Sequence, residues 1–209
     1  MSRFKYLLDA GHGGMINGKY QTAGKRSPIW EDGSQYFEGV GNRQIVKKLL
    51  AKLKIAGIDA VDIVRSERDI PNRTRVARAN SIHMNDTKDV LYISVHSDAF
   101  HKESAHGYSA YTSRRASKKS KIMAEICLDT MEEYFPDNKL RSDMTDGYKD
   151  KSANFTVITD TFCPAVLLEW FFMTNEANCR EILMTEEGQD TIVDCMLCII
   201  HKIEENGLI

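Results

Sequence analysis

Two stretches of the chain, DVLYISVH (89–96) and PAVLLEWF (164–171), are apolar almost without a break. A strand with one wet face alternates apolar and polar residues, whereas an unbroken run suits a strand covered on both faces, as in parallel sheets. The rest of the chain supplies the cover. In 38–56, Ile45, Val46, Leu49, Leu50 and Leu53 recur at helical spacing and Gly57 ends the pattern. Residues 115–134 put Ile122, Met123, Ile126, Thr130 and Tyr134 on one helical face, and 186–204 do the same with Ile192, Val193, Met196, Ile199, Ile200 and Ile203. Shorter signals predict strands at 4–8, 58–64 and 155–159, a weaker strand at 107–113, and helices at 70–83, with Pro71 in the first turn, and at 176–184. Strand–helix alternation of this kind predicts an α/β fold: a mostly parallel or mixed twisted sheet of about six strands with helices on both faces. The 209 residues are enough for one core, so 1–209 is read as a single domain. Residues 14–37 and 136–153 are expected to be loops.

Bulk properties narrow the function. The net charge of −2 offers no electrostatic case for nucleic acid. No stretch has the length of a membrane span. Residues 1–10 lack the apolar core and cleavage site of a secretory signal, so synthesis in a cytoplasm is expected. The five cysteines are odd in number and fit no disulfide framework; Cys195 and Cys198 form a CxxC, but inside a helical apolar pattern that reads as packing.

The chemistry-bearing residues cluster at predicted element ends. In open α/β sheets, sites form beyond the carboxyl ends of the strands. His12, within LLDAGHGG, follows the first strand; His96 ends VLYISVH; Glu38 opens the first long helix; Glu169 lies in PAVLLEW. Two imidazoles and one carboxylate form a catalytic zinc set that leaves one position for water, and His12, Glu38 and His96 would fill it. Each has a plainer reading as well: a tight or anion-binding turn for GHGG, a hydrogen-bonded strand-end histidine, a carboxylate favoured by the helix dipole. Glycines around His12 would let the backbone turn sharply out of the strand. Glu169 resists a plain reading, because an unpaired carboxylate in an apolar strand is costly, and a role beside a metal would explain it. His83, His101, His106 and His201 are assigned no role.

Five motifs, in order, resemble those of the zinc-dependent N-acetylmuramoyl-L-alanine amidases of type 3. LLDAGHGG resembles the first metal motif, and FEGVGNRQIVKKLLAKLKIAG the glutamate-led helix, with Asn42 four residues after Glu38. VDIVRSERDIPNRTRVARAN resembles the arginine-rich stretch, LYISVHSDA the second histidine motif, and CPAVLLEWFFMTN the strand with the catalytic glutamate. The resemblance spans roughly 4–183. It implies a zinc-exopeptidase-like fold, one Zn2+ per chain on His12, Glu38 and His96, and Glu169 as general base. The implied reaction is hydrolysis of the amide between N-acetylmuramic acid and L-alanine in peptidoglycan.

The chain departs from the family at Asp98, where asparagine is usual, and at Trp170 and Phe171, where glycine is usual; the long loop 14–37 adds Trp30 and Tyr36. These departures bear on the peptide accepted, and no helix-sized insertion between motifs is expected to block the site. Asp9, Ser94 and Asp98 are candidates to orient the ligating histidines. Arg65 and Arg73 are read as ion pairs or caps, with substrate contact as the alternative, and Asn175 as a cap or turn residue. A monomer acting on peptidoglycan after release, as a phage endolysin does, or in wall remodelling, is the implied context. A zinc exopeptidase of related fold is the alternative, but it needs a cation for a terminal carboxylate and no arginine is clearly placed for that. A catalytically inactive wall-binding module is the other alternative; it should have lost a ligand or the base, and all four candidates are present.

Overall fold

The computed structural model describes residues 2–208, and its two long apolar runs are neighbours: Tyr92–His96 pairs in parallel with Ala165–Glu169. In chain order the strands are β1 (Lys5–Ala10), β2 (Met15–Ile16), β3 (Lys19–Tyr20), β4 (Ala60–Asp62), β5 (Val90–Asp98), β6 (Ser109–Ser113), β7 (Lys151–Ala153) and β8 (Ala165–Phe172). The helices are α1 (Glu38–Ile55), α2 (Asn72–Asn85), α3 (Lys118–Tyr134), α4 (Thr156–Thr159) and α5 (Glu186–Asn206), with a π-helical turn over Asn178–Leu183. Six strands form one mixed sheet in the order β4-β1-β5-β8-β6-β7. The first four in that order are parallel, β6 runs antiparallel to β8, and β7 runs parallel to β6. This is the α/β class, with a mixed sheet and helices on both faces, that the sequence predicts.

Alternate residues of each strand serve opposite faces, and the two faces are covered unequally. On one, Tyr6, Leu8, Ile93, Val95, Val166 and Leu168 pack under α1, α3 and α5 in the large core. On the other, Leu7, Tyr92 and Leu167 meet Ala79 of α2 and Val157 and Ile158 of α4 in a smaller one. Further along the strands this second face turns polar, at Asp9, Ser94, His96 and Glu169.

Asp9 explains how the first strand tolerates an acid in its apolar run. Fully buried, it accepts hydrogen bonds from Arg75 Nη1 at 2.6 Å, Tyr92 Oη at 2.8 Å and Ser94 Oγ at 2.7 Å. The buried Arg75 also donates to the carbonyls of Ala10, His12 and Ile70, at 2.8, 3.0 and 2.7 Å. One guanidinium from α2 therefore holds both the end of β1 and the turn that carries His12.

Beyond His96 and Glu169 the ladder slips. Asp98 pairs with Phe172, so β8 spends one residue more than β5 over the same span. This bulge lies at Trp170 and Phe171, and Phe171 has φ +60°. A left-handed backbone is free for glycine and strained for phenylalanine. The ring compensates by packing at 4.9 Å from Phe135 and 6.0 Å from Tyr108, fully buried.

Several sequence expectations are corrected. Residues 155–159, predicted as a strand, form the short helix α4 across α2; five apolar and β-branched residues carry no period, and the slots beside β8 are taken by β5 and β6. Within the expected loop 136–153, Lys151–Ala153 is the edge strand β7, whose polar sequence gives no strand signal. Within 14–37, β2 and β3 form a hairpin about Asn17 and Gly18, both at positive φ; the Asn-Gly dipeptide is a legible signal for such a turn. Pro71 precedes α2 as its cap rather than lying in its first turn, and within the expected helix 176–184 the segment Asn178–Leu183 is π-helical.

Arg75→Met leaves the Asp9 carboxylate buried without a countercharge, and a loss of about 3–5 kcal/mol in urea unfolding is expected. An unchanged midpoint would mean that the pair does not hold the fold. Phe171→Gly relieves about 1–2 kcal/mol of backbone strain but removes a buried ring worth about 3–5 kcal/mol. The ring should win, so the variant is expected to unfold at lower denaturant concentration; a stabilised variant would show strain to be the larger quantity.

Candidate metal centre

Four side chains gather where the strands end. Gly11 extends β1 by one residue, its N–H donating to the Val95 carbonyl at 3.0 Å. A side chain here would run into the His96 imidazole, so the glycine is required for close approach. The sharp turn is made by His12 itself, at φ +62°, and not by its flanking glycines as the sequence suggests. Its left-handed backbone is held from outside: the His12 carbonyl accepts from Arg75 Nη2 at 3.0 Å and from Arg43 Nη2 at 2.8 Å.

Glu38 opens α1 and is buried. Its Oε1 stands 3.2 Å from His12 Nε2 and 3.1 Å from His96 Nδ1, and accepts from the Ser97 N–H at 3.2 Å. The two imidazoles meet edge to face, with centroids 4.9 Å apart. Donor atoms of the three residues all lie within 4.8 Å of one another, and among the described residues this is the one such group that could hold a metal ion. The histidine side chains are 19% and 15% exposed against 1% for Glu38, so the cluster opens to solvent on the imidazole side. Burial pushes the Glu38 carboxyl up, but the bonds to His12 and His96 outweigh it and hold the group well below the usual carboxylate range. The second oxygen, Oε2, is buried and has no hydrogen-bond partner.

The helix that presents Glu38 is fastened to the same turn. Asn42, one turn on, donates from Nδ2 to the Gly11 carbonyl at 3.3 Å, and Arg43 reaches His12. The segment 14–37 wraps this junction: Thr22 Oγ1 accepts from Gly13 N–H at 2.8 Å, Tyr20 Oη accepts from Gly39 N–H at 3.0 Å, and Tyr36 Oη lies 3.3 Å from Ser97 Oγ. Trp30 and Tyr36 are thus packed against the protein, and that segment supports the site.

Glu169 is in register with His96 on one side and with Ser109 on the other, so it shares their face of the sheet. Its Oε2 is shielded and makes no hydrogen bond. Burial raises the Glu169 carboxyl well above its ordinary range, and the negative charges of Glu38 and Asp98 add to this. Asp98 is itself raised, mainly by burial.

The structure brings together all four residues singled out from the sequence. It assigns other partners to the candidates for orienting the histidines: Asp9 and Ser94 bond to each other, and Asp98 Oδ1 accepts from the Ala99 N–H. Arg65 Nε donates to the Asp62 carbonyl at 2.9 Å, while Arg73 is exposed. Asn175 does act as a turn residue, accepting from Asn178 N–H at 2.9 Å. Arg75 and Arg43 were not singled out; an acid inside an apolar strand is the signal that a buried base must exist.

The family model for N-acetylmuramoyl-L-alanine amidases (Amidase_3) matches residues 7–202. No curated protein sequence matches the chain. Among solved structures, an N-acetylmuramoyl-L-alanine amidase from Clostridium difficile 630 is similar at 23% identity and TM-score 0.79, covering 98% of each chain. The amidase Ami1 from Mycobacterium smegmatis is similar at 17% identity and TM-score 0.77, again over 98% of each chain. The catalytic domain of the CD27L endolysin targeting Clostridia difficile is similar at 16% identity and TM-score 0.65, over 95% of this chain and 97% of that one. At such identities the likeness is one of fold, and the activity rests on the family match. No helix of the described residues is long and apolar enough to cross a membrane. The chain belongs to the N-acetylmuramoyl-L-alanine amidase family, and it hydrolyses the amide bond between N-acetylmuramic acid and L-alanine in bacterial peptidoglycan.

Proposed function

We propose that residues 1–209 act as one catalytic domain in which His12, Glu38 and His96 hold a single zinc ion and Glu169 is the general base. The observation that carries this reading is the convergence of three donor atoms within 4.8 Å, with a shielded carboxylate one strand across. The donor set fits the ion: two imidazoles and a carboxylate leave a coordination position open, and the buried, unpartnered Oε2 of Glu38 is a further acceptor facing no protein donor. When bound, zinc supplies Lewis acidity, which lets water ionise near a pH of about 7 and polarises a carbonyl.

The chain's own residues do the rest. Glu169 takes a proton from the attacking water and delivers it to the alanine nitrogen as the amide breaks, leaving a lactyl carboxylate on the sugar and a free amine on the peptide. Burial raises its proton affinity, which favours uptake of a proton from water over what an exposed carboxylate would manage. His12 and His96 keep an open edge, which a glycan strand needs to approach. Arg75 and Arg43 hold the His12 backbone, so the ligand set is preorganised.

Incubation with purified peptidoglycan, with and without chelator, tests the reaction by mass spectrometry of the new termini. Alanine amines and lactyl carboxylates are expected, and both should vanish with chelator; new termini inside the stem peptide would assign an exopeptidase instead, and no release would assign a binding module. Glu169→Gln is expected to keep stoichiometric zinc while losing about 10²–10⁴-fold in turnover; near-full activity would overturn its role as base. His96→Ala is expected to lose metal and activity together, read by elemental analysis of the purified protein. Stoichiometric zinc in that variant would remove His96 from the ligand set.

A further inference from the structure

The face of the sheet that carries His96 and Glu169 continues to its far edge, and two cations stand there. Lys151 opens the edge strand β7 and pairs in register with Tyr111 of β6, two residues from Ser109, the partner of Glu169. Arg141 is tied to the start of β6, its N–H donating to the Tyr108 carbonyl at 2.9 Å. Both side chains are half-buried. Among the described residues, neither has a carboxylate within ion-pair distance, although Arg43, Arg75, Lys121 and Lys149 all do.

Each cation rests on a ring instead. The Arg141 guanidinium lies 5.0 Å from the centroid of Phe172, and Lys151 Nζ lies 5.4 Å from that of Tyr111. A ring face offsets part of a charge but satisfies none of its directional donors. Arg141 Nε is shielded from solvent and has no hydrogen-bond partner. Burial lowers the Lys151 pKa, and the proximity of Arg141 lowers it further; Asp98, Glu169 and Asp143 oppose this at longer range. Two half-buried cations with open donors, side by side next to a reaction centre, are suited to a planar anion that a fork of guanidinium hydrogens can grip.

We propose that Arg141 and Lys151 form a carboxylate-binding subsite for the alanine-side peptide of the substrate, placing a free carboxyl group of the stem beyond Glu169. The proposal rests on the amidase reading above. Phe172 and Tyr111 form its floor, and the bulge at Phe171 sets the position of Phe172. From sequence alone no arginine was clearly placed to hold a carboxylate. Arg141 lies in a polar segment whose approach to the base depends on the bridge between Leu140 and Tyr108.

The test uses two substrates, N-acetylmuramoyl-L-alanyl-D-isoglutamate and its counterpart with that carboxyl amidated, and the two corresponding alanyl peptides as ligands for equilibrium binding. The full chain loaded with zinc is expected to favour the free carboxylate by about tenfold in kcat/KM, mostly through KM. It should bind the free peptide more tightly than the amidated one by a similar factor. In Arg141→Gln and Lys151→Gln the ratio should fall towards one, and Arg141→Lys should restore part of it, which general damage to the fold would not do. A parent enzyme indifferent to amidation, or a ratio that survives both substitutions, overturns the subsite. If neither substrate is cleaved, the amidase reading fails by itself, and the binding ratio still decides the subsite: a carboxylate preference lost in Arg141→Gln supports it, and equal binding overturns it.

Discussion

The ion pair between Asp9 and Arg75 is the contact on which the site depends. A carboxylate inside the first strand can exist there only because a guanidinium and two hydroxyls surround it. The same guanidinium then spends its remaining hydrogens on the carbonyls that follow the strand, ending with that of His12. A buried pair of this kind adds little net stability, because desolvating both ions costs about what their attraction returns. What it supplies is position. His12 sits in a backbone region that a side chain avoids, and two arginines, one from each flanking helix, bind its carbonyl. The ligand turn is thus fixed by groups that need not take part in the reaction.

Unequal cover of the sheet makes the remainder of the site possible. The face under α1, α3 and α5 is apolar along its length, and it supplies most of the core. The other face is sealed only where Leu7, Tyr92 and Leu167 meet α2 and α4. Past that seal the strands carry Asp9 and Ser94, buried against Arg75 of α2, and then His96 and Glu169 at the open end of the sheet. Glu38 reaches the two histidines from the opposite layer because α1 begins at the strand ends.

Much of this was legible in the sequence because the signals were local. Unbroken apolar runs gave β5 and β8, helical spacing gave α1, α3 and α5, and the metal and base candidates stood at the ends of those elements. What stayed hidden depended on distant contacts. Lys151–Ala153 is a strand only because Tyr111–Ser113 offers it an edge. Thr156–Thr159 is a helix because of what it lies across. The partners of Asp9 and the turn at His12 could not be read from GHGG, where glycine pointed to the wrong residue as the hinge: Gly11 gives room, and the histidine bends. The Asn-Gly hairpin, by contrast, was present in plain sequence and simply outweighed by the polar composition around it.

The base and the two edge cations share one electrostatic field, and this couples turnover to recognition. Burial drives the Glu169 carboxyl up, Glu38 and Asp98 push the same way, and Lys25 and Lys151 pull it down. A carboxylate bound between Arg141 and Lys151 would cancel part of that downward pull and leave Glu169 a stronger base. Neutralising Lys151 by substitution has the same sign of effect on Glu169, which is why a change in rate at one pH cannot separate recognition from basicity. Equilibrium binding of the free and amidated alanyl peptides can, because binding alone involves no proton transfer by Glu169.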